Sequence, residues 1–168
     1  MKRLLLIVLL LIVGCSKPVN EETLIEKGGL KYHPDTKELY SGEVFQNRMG
    51  GEKEFEGSYK DGERDGVWTT WYENGKKQKR GTYKDGKLDG LVTNWYEDGQ
   101  KKEEETFKDG KPDGPFTVWY ENGQKEWEKT YKDGKKDGLW TRWYESGQKE
   151  SERTYKDGES IKGSFKIW

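Results

Sequence analysis

One spacing constrains this chain more than any other feature: the pattern of residues 59–75, YKDGERDGVWTTWYENG, returns three more times at intervals of 24 residues. Aromatic residues recur at Tyr59, Tyr83, Phe107, Tyr131 and Tyr155, each followed by an Asp-Gly that ends at Gly62, Gly86, Gly110, Gly134 and Gly158. A second Asp-Gly ends at Gly66, Gly90, Gly114 and Gly138, and behind it come a threonine, a Trp-Tyr-Glu and a turn glycine at Gly75, Gly99, Gly123 and Gly147. A fixed period of this kind marks a chain of like units, each burying its surface against its neighbours. The interval from Gly66 to Gly75 is too short for an ordinary helix, so the units are built from strands.

Each unit reads as two strands and two turns. Residues 67–72, VWTTWY, are aromatic and β-branched, which favours a strand. Asn74-Gly75, Asp98-Gly99, Asn122-Gly123 and Ser146-Gly147 supply residues that tolerate positive φ, as tight hairpin turns require. The return strand is mostly charged and ends in the next aromatic, after which Lys-Asp-Gly turns the chain again. The expected fold is therefore all-β, a single-layer antiparallel β-meander of 24-residue hairpin repeats.

Strand alternation separates two faces. Val67, Thr69 and Trp71 point one way, and their equivalents Leu91-Thr93-Trp95, Pro115-Thr117-Trp119 and Leu139-Thr141-Trp143 make that face nearly uniform. The other face varies, as Trp68-Thr70-Tyr72, Val92-Asn94-Tyr96, Phe116-Val118-Tyr120 and Trp140-Arg142-Tyr144. The invariant tryptophans should form one row and the tyrosines another on the opposite face. Lysine and arginine stems, with the rings of Tyr83 or Tyr131, are expected to fill the gaps between tryptophans.

Composition fits a thin fold. Only 30% of the chain is hydrophobic and 38% is charged, yet 14% is aromatic, with eight Trp and ten Tyr. Such a chain is too polar for a thick core and too aromatic to be disordered, so regularly placed rings must supply the buried surface. A formal net charge of −1 argues against nucleic-acid partners, which need a basic excess.

The first residues read differently. Lys2 and Arg3 precede ten apolar residues, 4–13, which are too few for a bilayer-spanning helix of about 20 but suit a secretory signal. Ile12-Val13-Gly14-Cys15 resembles the bacterial lipoprotein signal, with the chain's single cysteine at the cleavage position. That resemblance implies a diacylglycerol and an N-acyl lipid on Cys15, and two or more acyl chains hold a protein durably on a membrane. With Ser16 next, it implies the outer membrane in a double-membraned host, and otherwise the outer face of the plasma membrane. Residues 1–14 are then a signal peptide, 15–28 a lipidated terminus and polar tether, and 29–168 the repeat domain. Within that domain a worn first repeat spans about 42–57, with Asn47 and Arg48 where Trp-Tyr would stand. Full repeats occupy about 58–157, and residues 163–168 form a capping strand.

The repeated Asp-Gly and Trp-Tyr-Glu-x-Gly elements resemble the bacterial variant of the MORN repeat found in proteins of the YwqK antitoxin family. The resemblance implies a sheet of hairpins without catalytic residues, acting as a protein-interaction or scaffold module. Joined to an envelope anchor, it implies an immunity-like role against an envelope toxin.

Catalytic chemistry has little to work with. His33 is the single histidine, so nucleophilic triads and His or Cys metal sites lack members. The paired acids Asp61 and Asp65, with equivalents in each repeat, could be drawn as calcium ligands, but each precedes a glycine and reads as a turn former. The chain is expected to be no enzyme and to need no cofactor or metal. The candidate interaction surface is the aromatic rows, Trp71, Trp95, Trp119 and Trp143 with Tyr72, Tyr96, Tyr120 and Tyr144. They are expected to meet an envelope protein, or alternatively to stack glycan or cell-wall ligands on exposed tryptophans. The choline-binding cell-wall repeat also combines Trp, Tyr and Gly turns, but its period near 20 residues and its Gly-Trp start are absent here.

Overall fold

A computed structural model describes residues 17–168. The expected signal peptide, residues 1–14, and Cys15 lie outside the described residues. The chain forms one long sheet of hairpins and a small two-stranded sheet. Five hairpins follow one another: Gly42–Asn47 with Lys53–Lys60, Gly66–Trp71 with Lys77–Lys84, Gly90–Trp95 with Lys101–Lys108, Lys111–Trp119 with Lys125–Lys132, and Gly138–Trp143 with Lys149–Lys156. Each also pairs antiparallel with the next, so strand order follows chain order throughout. Lys166–Ile167 pairs with the last return strand, where the capping strand was expected.

The two kinds of turn have different jobs. Asp61-Gly62 closes a two-residue loop, with Tyr59 opposite Arg64 and Lys60 opposite Glu63. Both residues have positive φ, 50° and 81°, as a type I′ turn demands, and aspartate tolerates this where most residues do not. At the other end, Gly75 N–H donates to Tyr72 O, and Gly75 lies at φ 78°. This is a three-residue loop closed by a glycine bulge rather than the tighter turn expected at Asn74-Gly75. A register slip between Thr70 and Trp71, repeated in every hairpin, sets Trp71 opposite Lys77.

Neighbouring repeats are tied at both ends. At the Asp-Gly end, Gly86 N–H donates to Arg64 O at 3.0 Å, and Gly110, Gly134 and Gly158 repeat the bond. Asp89 and Asp113 accept from the amides of Asp109 and Asp133 in the next turn, so these carboxylates serve the turns.

The expected tether is corrected from Val19 onward. Val19–Asn20 adds a short parallel strand to Gly42–Asn47, and Ile25–Lys27 pairs with Leu30–Tyr32 in the small sheet. Leu24 is buried with Tyr40, Val44, Tyr59 and Trp68 in the main apolar cluster. Apolar residues inside this polar stretch had somewhere to go: the open edge of the first hairpin, which a long sheet must cover.

Candidate functional site

The candidate surface is one face of the sheet, and it is defined by what the other face is already doing. On the uniform face, residues opposite one another across the strands run Glu56, Thr69, Arg80, Thr93, Glu104, Thr117, Glu128, Thr141 and Glu152. Thr69, Thr93 and Thr141 are buried beneath the stems of their charged neighbours. The tryptophans Trp71, Trp95, Trp119 and Trp143 are half-buried. Lysines cover three of them: Lys53 over Trp71 at 5.1 Å, Lys101 over Trp119 at 5.8 Å, and Lys125 over Trp143 at 5.9 Å from ring centroid to Nζ. Each of these lysines is also ion-paired with the glutamate three residues on, at 2.6 Å. Lys149 repeats the arrangement, over Trp168 and paired with Glu152.

The tyrosine row has a structural task. Tyr72, Tyr96 and Tyr120 donate from their hydroxyls to the carbonyls of Trp95, Trp119 and Trp143, at 2.7, 2.7 and 2.9 Å. Each repeat is thereby bolted to the following tryptophan. In the worn repeat, Arg48 stands where tyrosine would be, and its guanidinium donates to Trp71 O at 2.8 Å. The chemistry changed and the bond survived. Tyr144 has no such following repeat and is exposed. Replacing Tyr96 by phenylalanine removes one donor and leaves the ring, so it should cost about 0.5–1.5 kcal/mol in a chemical denaturation curve.

The opposite face carries the positions that differ between repeats. Its inner row holds Trp68, Val92, Phe116 and Trp140, with Tyr59, Tyr83, Tyr131 and Tyr155 between them. Trp68 and Trp140 are buried, and each indole N–H donates to a backbone carbonyl, Ser58 O and Thr130 O. Tyr131 and Trp140 meet edge to face at 5.3 Å, and Trp140 and Tyr155 lie 5.1 Å apart. Tyr83 and Tyr131, expected to fill gaps in the Trp71 series, therefore lie on the other face. Regularly placed rings do supply buried surface, but the buried tryptophans are Trp68 and Trp140 rather than members of the Trp71 series. The register slip leaves them beside the end loops, while the residues near mid-strand meet neighbouring strands on both sides.

Beside that inner row, the residues facing one another across the strands are Phe55, Thr70, Lys79, Asn94, Glu103, Val118, Trp127, Arg142 and Ser151. No two adjacent repeats present the same set. Charge is also uneven along the face. Glu103 and Glu105 lie in the middle, and burial is the main cause that raises the Glu105 carboxyl above its ordinary range, helped by repulsion from Glu103. Lys129, one repeat later, is pushed down chiefly by burial. Because the Glu105 pKa is raised by folding, the fold loses stability as pH climbs from the unfolded value near 4.5 through the folded one. Glu105→Gln should thus stabilise the fold at pH 7 and change it little below pH 4, which thermal melts at the two pH values would read.

Sequence reasoning found both aromatic rows but assigned the candidate surface to residues that hold the repeats together. Phe116, Trp127, Lys129 and Arg142, all partly exposed on the variable face, are absent from the surface the sequence points to. The available signal was their failure to repeat, since only non-identical positions can give a repeat protein a specific address. Among the described residues, no helix is long and apolar enough to cross a membrane.

Comparison with known proteins adds one finding. No curated protein matches the chain. The family model described as "MORN repeat variant" matches residues 64–85, 88–109, 112–133 and 136–157, which together make up more than half of the chain and begin at the short strand after each Asp-Gly turn. The hairpin architecture and the four matched units agree, and the chain belongs to the MORN repeat variant family.

Proposed function

We propose that this protein is a non-enzymatic interaction module of the cell envelope, held on the membrane by a lipidated Cys15 and presenting the variable face of its sheet to a protein partner. The observation that carries the reading is the division between faces. Positions identical in every repeat, the Trp71 and Tyr72 series, are spent on lysine stacking and repeat-to-repeat hydrogen bonds. Positions that differ, such as Lys79, Glu103, Trp127 and Ser151, gather on the face opposite the Trp71 series, beside the tyrosine row, where they can specify a partner. An immunity-like role against an envelope toxin is the narrower form of this proposal, supported by the anchor motif together with the repeat family.

Mass spectrometry of the protein from its own host is expected to find diacylglycerol and N-acyl groups on Cys15, and Cys15→Ser should leave the membrane fraction. Capture from intact envelopes with the acylated protein should retain a specific polypeptide. An unmodified Cys15 in a freely soluble protein would remove the anchor from the proposal. A saturable tryptophan-fluorescence response to envelope polysaccharide would replace the protein partner with a glycan.

A further inference from the structure

Resting on that reading, the partner's chemistry can be narrowed from how the two faces treat their cations. On the uniform face every lysine lying over a ring of the Trp71 series is neutralised by its own glutamate. On the variable face the pattern breaks: Arg64 lies over Trp68 and Tyr83 with no carboxylate paired to it among the described residues, and the largest group of such cations gathers in the third and fourth repeats. Lys129 Nζ lies 4.4 Å from the Trp127 ring, 4.9 Å from Phe116 and 5.1 Å from Trp140. Lys136 Nζ lies 4.5 Å from Trp140 and 4.9 Å from Tyr155, and the Arg153 guanidinium sits 4.2 Å from Phe165. Among the described residues, none of these three forms an ion pair with a carboxylate; Arg142, 5.2 Å from Trp127, pairs with Glu150.

A cation held over rings keeps its charge and sheds part of its water, so it is prepared for a carboxylate that would otherwise have to displace that water. Three such cations around Phe116, Trp127 and Trp140 form a patch that is both aromatic and positive. Aromatic and arginine residues are the commonest anchors of protein interfaces. A uniform polyanion fits poorly, because the same face carries Glu103 and Glu105 on the neighbouring return strand, and the chain as a whole has a formal net charge of −1. A peptide whose acidic residues are confined to one stretch avoids those glutamates. We infer that the half-buried Phe116 and Trp127 rings, seated beside the buried Trp140 and flanked by Lys129, Lys136 and Arg153, dock an acidic polypeptide segment that also carries apolar side chains.

The test uses the full chain in detergent and a fluorescein-labelled twelve-residue peptide of repeating Glu-Leu-Glu-Phe, followed by anisotropy. Saturable binding is expected, weakened about tenfold or more by Lys129→Glu combined with Arg153→Glu and by raising salt from about 50 to 300 mM, as steered charge pairs require. Lys84→Glu, an exposed lysine outside the patch, should bind as the parent does. Circular dichroism of the double variant, compared with Lys129→Gln plus Arg153→Gln, guards against simple unfolding. The inference is overturned by absence of binding to the parent, by equal binding of the peptide with every Glu changed to Gln, by polyphosphate of matched charge binding as well, or by an unaffected, folded double variant. Peptide binding without any polypeptide captured from envelopes would count against the proposed function alone. Capture undiminished by the folded double variant would sink the acidic-segment assignment and leave that function standing.

Discussion

Trp68→Ala is expected to be the most damaging single substitution in the repeats, costing about 3–5 kcal/mol, the usual range for deleting a buried large aromatic. Trp68 is 5% exposed and touches the N-terminal cluster of Leu24, Tyr40, Val44 and Tyr59. Its ring meets Tyr59 edge to face at 5.2 Å, Phe55 at 5.7 Å and Tyr83 at 6.4 Å, and Arg64 lies 4.4 Å above it. Truncation therefore opens a cavity shared by three strands and leaves Ser58 O without its indole donor. A repeat array need not respond as one unit, because each unit is stabilised by its neighbours. Hydrogen exchange should accordingly show lost protection across residues 42–84 while residues 125–156 keep theirs, and urea unfolding should separate into two transitions. Trp95→Ala, on the uniform face and half-buried, should cost clearly less. Equal losses at the two positions would show that the uniform face carries as much of the packing as the variable one.

Gly57→Ala and Gly81→Ala, the same change at equivalent places in successive repeats, are expected to differ sharply. A methyl at Gly57 would come within 2.8 Å of Trp68 Cε3 and closer still to the ring-fusion carbons, so the indole must leave its seat. Overpacking of this sort costs about 1–3 kcal/mol, and the displaced ring also loses its hydrogen bond, which puts Gly57→Ala at the upper end of that range. A methyl at Gly81 meets only the tips of Val92 and Leu88, at 3.3 and 3.4 Å, and small rotations of branched aliphatic chains relieve it. Neither backbone needs a positive φ, so the gain from stiffening the unfolded chain is available at both. Gly81→Ala should fall within about 1 kcal/mol of the parent. Paired melts of the two variants decide the matter; similar losses would mean that Trp68 is not seated on Gly57.

The same position explains why the patch described above lies at one end. Gly57 and Gly81 are followed at 24-residue spacing by Glu105, Lys129 and Arg153. At Gly57 the Trp68 ring lies against the backbone, at Gly81 the next strand offers Val92 and no ring, and at Lys129 the Trp140 ring is held against a charged stem. Packing against the N-terminal segment closes the first repeats, leaving the later ones to offer rings and charges together.

The hairpins, their order and their length were legible because Gly, Asp and Asn at fixed intervals satisfy local rules of turn geometry. Asp61-Gly62 can hardly be anything but a two-residue reversal, and alternation alone puts Thr69 and Trp71 on one side. What could not be read was which rings lie inside. The invariant Trp71 series drew the assignment of an interaction surface, yet identity across repeats reports contact with the next copy, as the Tyr72 to Trp95 bond shows. The exchange of tyrosine for Arg48 was equally opaque, since two unlike side chains deliver a donor to the same carbonyl.

Local chemistry alone thus determined a meander of hairpins with a uniform and a variable face, because turn preferences and strand alternation act over a few neighbouring residues. The tertiary structure decided three things that depend on contacts between strands. The slip after Thr70 moved the invariant tryptophans out beside the loops, the segment from Val19 closed the open edge over Leu24, and Lys129 came to lie among Phe116, Trp127 and Trp140, with Lys136 also over Trp140.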